Sequence, residues 1–427
     1  MATSGGSGRS AASVPAVLFV AATATFVQSY VGVKLLFLAV YLVTAVVGVA
    51  RERKALVYPR LVVFYVALSV TGIIWAIVGL LHPGNYVVGA FDALRLYCIW
   101  SIAFLVLFSL LRAHASLRWL HDGMVLSGLL ISAINLVALA DQILGWGLIT
   151  DSIRDQMELR VGIHEGYIQI TSNNIGALFV VVPYLLALQF RADAGKLNSP
   201  LTKLSLVLCL VVAAVSGRRA LWLVVAVAPW VILALAVVTK NQAALRAAAR
   251  RFTYAYTLAA VALLVLILVR PDAIAELGYV GRLQQAFSVE DERTIQKPYL
   301  LHSFQESPIL GSGFGAYAGY LRNEERPWTY ELTYHQMLFN LGVVGLILLG
   351  GLISLYFVLV VRTLRECGDR LAIRFSVLVG FCGLLVGAYS NPYLRSFDYL
   401  FFAGLLPFLS TFRPGVARPG AISRTGC

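Results

Sequence analysis

Charged residues are scarce in this 427-residue chain: Asp, Glu, Lys and Arg together make up 13% of it, and hydrophobic residues make up 59%. Because a soluble domain carries about 25% charged residues, this deficit excludes a water-soluble globule. The sequence predicts an all-α polytopic membrane protein, since backbone groups in lipid must be satisfied within each spanning segment. We expect one membrane domain over residues 1–427.

Cysteine is also rare, and none of the five falls in a predicted external segment, so no structural disulfide is expected. No CxxC pair or Cys/His cluster suggests a metal site, and no cofactor is expected. Motifs for binding RNA or DNA are absent, so a nucleic-acid partner is not expected.

Long apolar runs, by contrast, recur along the whole chain. About 20 apolar residues cross the hydrocarbon core as a helix, and the runs predict twelve spans. These are residues 13–32, 34–50, 61–81, 94–111, 123–141, 174–190, 201–217, 219–239, 252–270, 336–361, 373–390 and 398–412. Ionised side chains are nearly absent from mid-span positions, which weighs against a coupled transporter.

The basic residues fix the predicted orientation. Most of the 34 Lys and Arg lie in short segments that face the cytoplasm by the positive-inside rule, so the net charge of +13 is a signal of topology. These segments are 1–12, 51–60, 112–122, 191–203, 240–251, 362–374 and 413–427. The longest loop on the other side, residues 271–335, precedes the tenth span and collects charges, aromatics, glycines and histidines.

Two adjacent arginines, Arg218 and Arg219, lie in the predicted external turn before the eighth span, against the positive-inside bias. Consecutive helical residues point about 100° apart, which favours only one of them, Arg219, for a shared site. A guanidinium there is suited to bind a phosphate in bidentate fashion. The alternative is an interfacial arginine that reaches toward lipid headgroups.

Two motifs within the loop 271–335 are further candidates for an anion-binding site. A helix is predicted to begin in the charge run at 290–297, which places Arg293 and Lys297 on one face, suited to hold a diphosphate. The alternative is a solvated surface where neighbouring acids neutralise them. The segment SPILGSGFG at 307–315 predicts a sharp turn rather than a dinucleotide-binding loop.

His335 lies at the predicted outer mouth of the tenth span, beside Tyr334 and four residues after Glu331. A carboxylate one helical turn away orients an imidazole or raises its basicity. A histidine at this boundary is suited to deprotonate a hydroxyl, and the alternative is a structural histidine. Arg160, in the predicted external loop 142–173, is a weaker candidate for the same cavity.

Four of these segments, taken in order, form a series that resembles the O-antigen ligase and O-antigen polymerase superfamily of bacterial envelope enzymes. The series is Arg219 after SGR, ER at 292–293, SPILGSGFGAY at 307–317 and YHQMLFNLGVVGL at 334–346. It covers about the last half of the chain. Arg218 takes the place of the Ser that usually precedes that arginine.

The resemblance implies a GT-C-like bundle in the bacterial inner membrane, with an active site that faces the periplasm and includes the loop 271–335. It implies a metal-independent, inverting glycosyltransferase that takes a glycan from undecaprenyl diphosphate. Arg219 and Arg293 would bind the diphosphate, and His335 would activate an acceptor hydroxyl. The residues expected to contact substrate are Arg218, Lys297, Glu331, Tyr334 and Arg160.

Ligase and polymerase share the donor and differ in the acceptor. A ligase transfers the glycan to a glycolipid such as a lipid A core or to another acceptor, whereas a polymerase extends the glycan on its carrier. A single histidine-bearing loop before the tenth span favours the ligase. An anionic-solute transporter is the alternative from another class, and it would need charges or broken helices at mid-depth.

Overall fold

The computed structural model describes residues 13–52, 56–113, 117–164, 167–239, 292–364, 369–389 and 391–412, with isolated helical residues between 245 and 261. We number the longer helices in chain order. Helices α1 to α14 are Ser13–Thr25, Val31–Glu52, Pro59–Leu81, Val87–Leu94, Trp100–Ala113, Arg118–Leu144, Asp151–Met157, Leu178–Phe190, Pro200–Val215, Arg219–Val238, Glu292–Glu306, Thr333–Thr363, Asp369–Ala388 and Phe397–Ser410.

Shorter elements complete the bundle. A π-helical segment, Arg95–Ile99, joins α4 to α5, and 3-10 turns cover Asn173–Ala177, Ala192–Leu197 and Tyr393–Arg395. One antiparallel hairpin pairs β1 (Arg160–His164) with β2 (Tyr167–Thr171). The sequence did not predict this hairpin, which lies in the loop 142–173.

Eight helices in the described part of the chain are long and apolar enough to cross a membrane. They are Val31–Arg51, Pro59–Leu81, Val87–Ala113, Arg118–Leu144, Asn173–Phe190, Arg219–Val238, Thr333–Thr363 and Leu371–Ala388. Three shorter apolar helices, α1, α9 and α14, also coincide with predicted spans. The chain is thus an all-α bundle of membrane-type helices. The total of twelve stays a prediction, because 252–270 lies almost wholly outside the described residues.

The core of the bundle is centred on α8, which packs against α6, α9, α10 and α13. Its residues are apolar all round, as expected of a helix buried on every side. Helix α13 presents Gly380, Gly383 and Gly387 to it, where an added Cβ would approach α8 atoms to between 2.2 and 2.9 Å. This close packing of small residues is typical of membrane helices, and it fixes α13 against α8.

Segments that the sequence places on the cytoplasmic side contact one another at one end of the bundle. Arg112 and Arg374 lie over the ring of Phe412, 4.1 and 5.1 Å from its centroid. Arg60 donates a hydrogen bond to the carbonyl of Ser410. The segment between α11 and α12 packs against the opposite end of α3, where the Phe314 amide donates to the Trp75 carbonyl. The assignment of these two ends to the two sides of a membrane stays a prediction.

Helix α12 is broken at Gly342, where φ is +61° and ψ is −172°. The segment 308–313 enters this break and satisfies the freed backbone groups. Ser312 and Gly313 donate amide hydrogens to the carbonyls of Phe339 and Asn340, at 3.0 and 2.9 Å. Val343 and Val344 donate to the carbonyls of Pro308 and Ile309, at 2.9 and 3.1 Å. The glycine-rich motif therefore shapes α12 rather than binding a nucleotide.

The same segment is anchored to α3. Trp75 Nε1 donates to the carbonyl of Leu310 at 2.7 Å, and the amide of Phe314 donates to the carbonyl of Trp75 at 3.0 Å. Within a bundle of membrane-type helices, irregular backbone is tolerated only where protein surrounds it and supplies hydrogen-bond partners. The segment 308–314 is therefore a wedge between α3 and α12 that positions the first turns of α12.

Replacing Gly342 by alanine is expected to destabilise the protein. Only glycine adopts this backbone conformation readily, and strain of this kind costs about 1–3 kcal/mol. An added Cβ would also lie 2.4 Å from Gly311 N and from Ile309 O. The unfolding midpoint in detergent should fall for Gly342→Ala. Gly350→Ala is the matched control in the same helix, because open space surrounds that position. Equal midpoints for the two variants would contradict the assigned strain.

Candidate active site

Arg218 lies in the turn between α9 and α10, next to Gly217. Gly217 has φ +63°, and a Cβ there would meet the Gln169 side chain at 2.8 Å, so the turn packs directly on β2. Arg218 Nη1 donates to the Tyr393 hydroxyl at 2.8 Å, and Nη2 donates to the Ser172 carbonyl at 3.0 Å. These two bonds hold the guanidinium in place between α8 and α14.

A buried polar network fixes the carbonyl that Arg218 uses. Ser172 Oγ lies 2.9 Å from Asn135 Oδ1 and 2.7 Å from Asn174 Oδ1. Asn135 Nδ2 donates to Asn174 Oδ1 at 2.9 Å. All three residues are at most 2% exposed, and hydrogen bonds in such surroundings rigidify the backbone they join. The position of the guanidinium therefore depends on α6 as well as on its own turn.

A second arginine is held by the segment that precedes α12. Arg293 Nε donates to Glu331 Oε2 at 2.8 Å, and Arg322 Nη2 donates to Glu331 Oε1 at 2.8 Å. Gln296 is fully buried, accepts from the Glu331 amide at 3.0 Å and donates to Glu292 Oε1 at 3.2 Å. These contacts fasten α11 to the entry of α12 and orient Arg293.

The predicted pairing of Glu331 with His335 is not formed. Helix α12 begins at Thr333, so Glu331 lies outside the helix and the spacing of one helical turn does not apply. Its carboxylate binds two arginines instead. Within the described part of the chain, Nδ1 of His335 is buried and has no hydrogen-bond partner.

Aromatic and basic groups surround the half-buried His335 ring. The Tyr389 ring lies 6.2 Å from the His335 ring and 6.2 Å from the Tyr334 ring, centroid to centroid. Tyr334 directs its hydroxyl to the carbonyl of Leu385 in α13, a contact that packs the two helices. Lys297 of α11 lies close enough for its charge to act on the imidazole. The histidine therefore shares its surroundings with a cation of the long loop.

The charges of Arg218 and Arg293 both act on the hydroxyl of Tyr393. Burial raises the pKa of its phenol, while the charges of Arg218 and Arg293 lower it and that of Glu331 raises it. The two arginines, on elements far apart in sequence, therefore lie within electrostatic range of one buried hydroxyl. This arrangement offers two cations for an anionic group, with an imidazole on the adjoining helix as a proton acceptor.

Other predicted site residues lie apart from this cluster. Arg219 is the first residue of α10 and is exposed, and no hydrogen bond or ion pair to the described residues holds its guanidinium. Arg160 borders a separate cavity of about 240 Å³ formed with α6 and α7. The roles in catalysis and substrate binding all stay predictions, for His335, Arg219, Arg293, Arg218, Lys297, Glu331, Tyr334 and Arg160 alike.

Three residues that contact the predicted site residues were missed by sequence reasoning: Tyr393, Arg322 and Tyr389. Tyr393 lies in the short loop before α14, and no motif links it to Arg218 across the chain. Arg322 lies among exposed charges of the long loop, where a charge run is ordinarily a solvated surface. Tyr389 directly follows the last residue of α13, and no polar pattern surrounds it in the sequence.

Comparisons with known proteins place the chain in no family, since no family model matches it and no curated protein is significantly similar. Among the described residues, no group of three or more His, Cys, Asp or Glu side chains could hold a metal ion. The fold defines the class as a helical protein with membrane-type spans, and Arg218 and Arg293 lie near the ends of its helices α10 and α11.

Proposed function

We propose that the chain is a membrane glycosyltransferase that moves a glycan from undecaprenyl diphosphate to an acceptor hydroxyl on the periplasmic face of a bacterial inner membrane. The observation that carries the proposal is the bond of Arg218 to Tyr393, a hydroxyl on which the charge of Arg293 also acts, together with a Lys297 charge that acts on His335. The resemblance of the same segments to the O-antigen ligase and polymerase superfamily supports it.

The two arginines suit the departing diphosphate. Negative charge accumulates on that group as the glycosidic bond breaks, and fixed cations that face it lower the barrier. Arginine keeps its charge at any relevant pH and binds phosphate oxygens in bidentate fashion. Arg218 and Arg293 are already oriented by Tyr393, Ser172 and Glu331, so little reorganisation is needed when the donor binds.

His335 suits the activation of the acceptor. A neutral imidazole accepts the hydroxyl proton while the oxygen attacks the anomeric carbon from the face opposite the diphosphate, which inverts the configuration. General bases of this kind contribute about 10²- to 10⁴-fold to a rate. Because no described carboxylate is bonded to Nδ1, the imidazole acts here without an anionic partner.

Solute transport receives less support. The break in α12 is the kind of feature that transporters use, but its backbone groups are satisfied by the wedge 308–314 and do not face a cavity as ion ligands would. Arg218 and Arg293 also lie next to the first residues of α10 and α11 rather than in the middle of an apolar span, where a transporter would need its charges.

The test uses purified full-length protein in lipid nanodiscs. Glycan linked to undecaprenyl diphosphate is supplied either with lipid A core acceptor or alone. Transfer to the glycolipid supports a ligase, and elongation on the carrier supports a polymerase. No product with any acceptor, together with flux of an anionic solute in liposomes, would overturn the proposal.

A further inference from the structure

A second polar cavity of about 290 Å³ lies on the other side of the first turns of α12. Its walls come from the π-helical segment at 95–99, the loop 322–329 and the segment 392–395. Gln336, which follows His335 in sequence, lines it, and Arg395 Nη1 donates to Gln336 Oε1 at 3.3 Å. The cavity therefore adjoins the candidate active site without containing Arg218, Arg293 or His335.

The lining of this cavity is strongly cationic. It includes four arginines and one carboxylate, Asp92, which pairs with Arg95 at 3.1 Å. Arg322 is engaged by Glu331, but no described carboxylate pairs with Arg326 or Arg395. Burial lowers the pKa of Arg395, and the charges of Arg326 and Arg95 act in the same direction, against Tyr97 and Asp92. An anion bound here would relieve this unbalanced charge.

Two residues that line the cavity each carry a buried polar atom that has no partner in the described structure. These atoms are Trp328 Nε1, on a residue 6% exposed, and Asn340 Oδ1, on a residue 7% exposed. Buried polar groups are ordinarily hydrogen-bonded, so each indicates a missing partner. The indole requires an acceptor such as a phosphate oxygen, and the amide oxygen requires a donor such as a hydroxyl.

An apolar cavity of about 90 Å³ adjoins the cationic one. Leu96, Tyr97, Met337 and Leu394 line both, and the remaining walls of the apolar cavity are largely aliphatic and aromatic side chains. A free phosphate would leave this space unused. An amphiphile would place its charged head among the arginines and the start of its chain below them.

We propose that this pair of cavities is a second lipid site, which binds the phosphorylated, hydroxyl-bearing headgroup of an anionic membrane lipid. Arg326 and Arg395 neutralise the phosphate. Small rotations of the Trp328 and Asn340 side chains expose the indole N–H, which donates to the phosphate, and the amide oxygen, which accepts from a headgroup hydroxyl. Arg322 borders the site and donates to Glu331, which also accepts from Arg293. Glu331 therefore connects this site to an arginine of the candidate active site. The proposal does not depend on glycan transfer.

Phosphatidylglycerol is a suitable probe because its headgroup carries one phosphate and two hydroxyls. The full-length protein in detergent is titrated with phosphatidylglycerol or phosphatidylcholine, and bound lipid is counted by native mass spectrometry. Selective binding of phosphatidylglycerol is expected, and Arg326→Ala with Arg395→Gln should weaken it about tenfold or more. Arg154→Ala, which removes an arginine from a separate cavity, should retain wild-type binding.

Two further arms separate the alternatives. Trp328→Phe keeps an aromatic ring and removes the N–H donor, so weaker lipid binding is expected. This single variant tests the site independently if the double variant fails to fold. Glycerol phosphate and inorganic phosphate should compete only at far higher concentration than the lipid. Unchanged affinity in both variants would overturn the site. Competition by free phosphate at the concentration of the lipid would overturn the lipid as its occupant.

Discussion

Replacing Arg218 by alanine is expected to lower the rate of glycan transfer by about 100- to 1,000-fold, the usual cost of removing one preorganised group that stabilises developing charge. The loss should fall mainly on kcat, because the diphosphate gains its negative charge as the bond breaks. The measurement is steady-state transfer in nanodiscs with the donor concentration varied. A variant that changes KM alone would assign Arg218 to ground-state binding.

Arg219→Ala provides the sharpest comparison, because it removes the same charge one position along the chain. Arg218 is bonded to Tyr393 and Ser172, whereas Arg219 is exposed at the start of α10. The smaller loss is therefore expected from Arg219→Ala. The reverse order of losses would return the main role to Arg219, the residue that the sequence favoured. If both variants kept wild-type activity, neither arginine of this turn would take part in the reaction.

The sequence predicted the positions of the described helices well, because a membrane helix is selected by the apolar character of its whole length. Helix α10, for example, begins at Arg219 and ends at Val238, against a predicted span of 219–239. It could not predict the break in α12. That break depends on Gly342 meeting the segment 308–313, and a long-range backbone contact leaves no periodic pattern in either partner.

The candidate site was predicted in its residue types more than in its contacts. Glu331 shows why, since its spacing from His335 is meaningful only if both residues share a helix. The helix starts at Thr333, and the carboxylate joins two arginines that the sequence separates by 29 positions. Likewise, the sequence could not predict which of Arg218 and Arg219 is held in place, because Arg218 is held by Tyr393, a residue of a different loop.

Replacing His335 by alanine is expected to reduce transfer by about 10²- to 10⁴-fold, the range that a general base contributes. A protonated imidazole cannot accept a proton, so wild-type activity should fall toward acid pH through the titration of this ring. That acid limb should be absent from the residual activity of His335→Ala. The measurement is the pH–rate profile of both proteins with donor at saturation.

His302→Ala is the matched control for this experiment. His302 is exposed on α11, and its Nε2 lies 3.8 Å from Glu306 Oε1. Neither residue is among the predicted site residues. The variant should keep both the wild-type rate and the acid limb. If His335→Ala retained the wild-type profile, the proton acceptor would be another group. His335 would then have no part in proton transfer, and the predicted role of the arginines in binding the diphosphate would be unaffected.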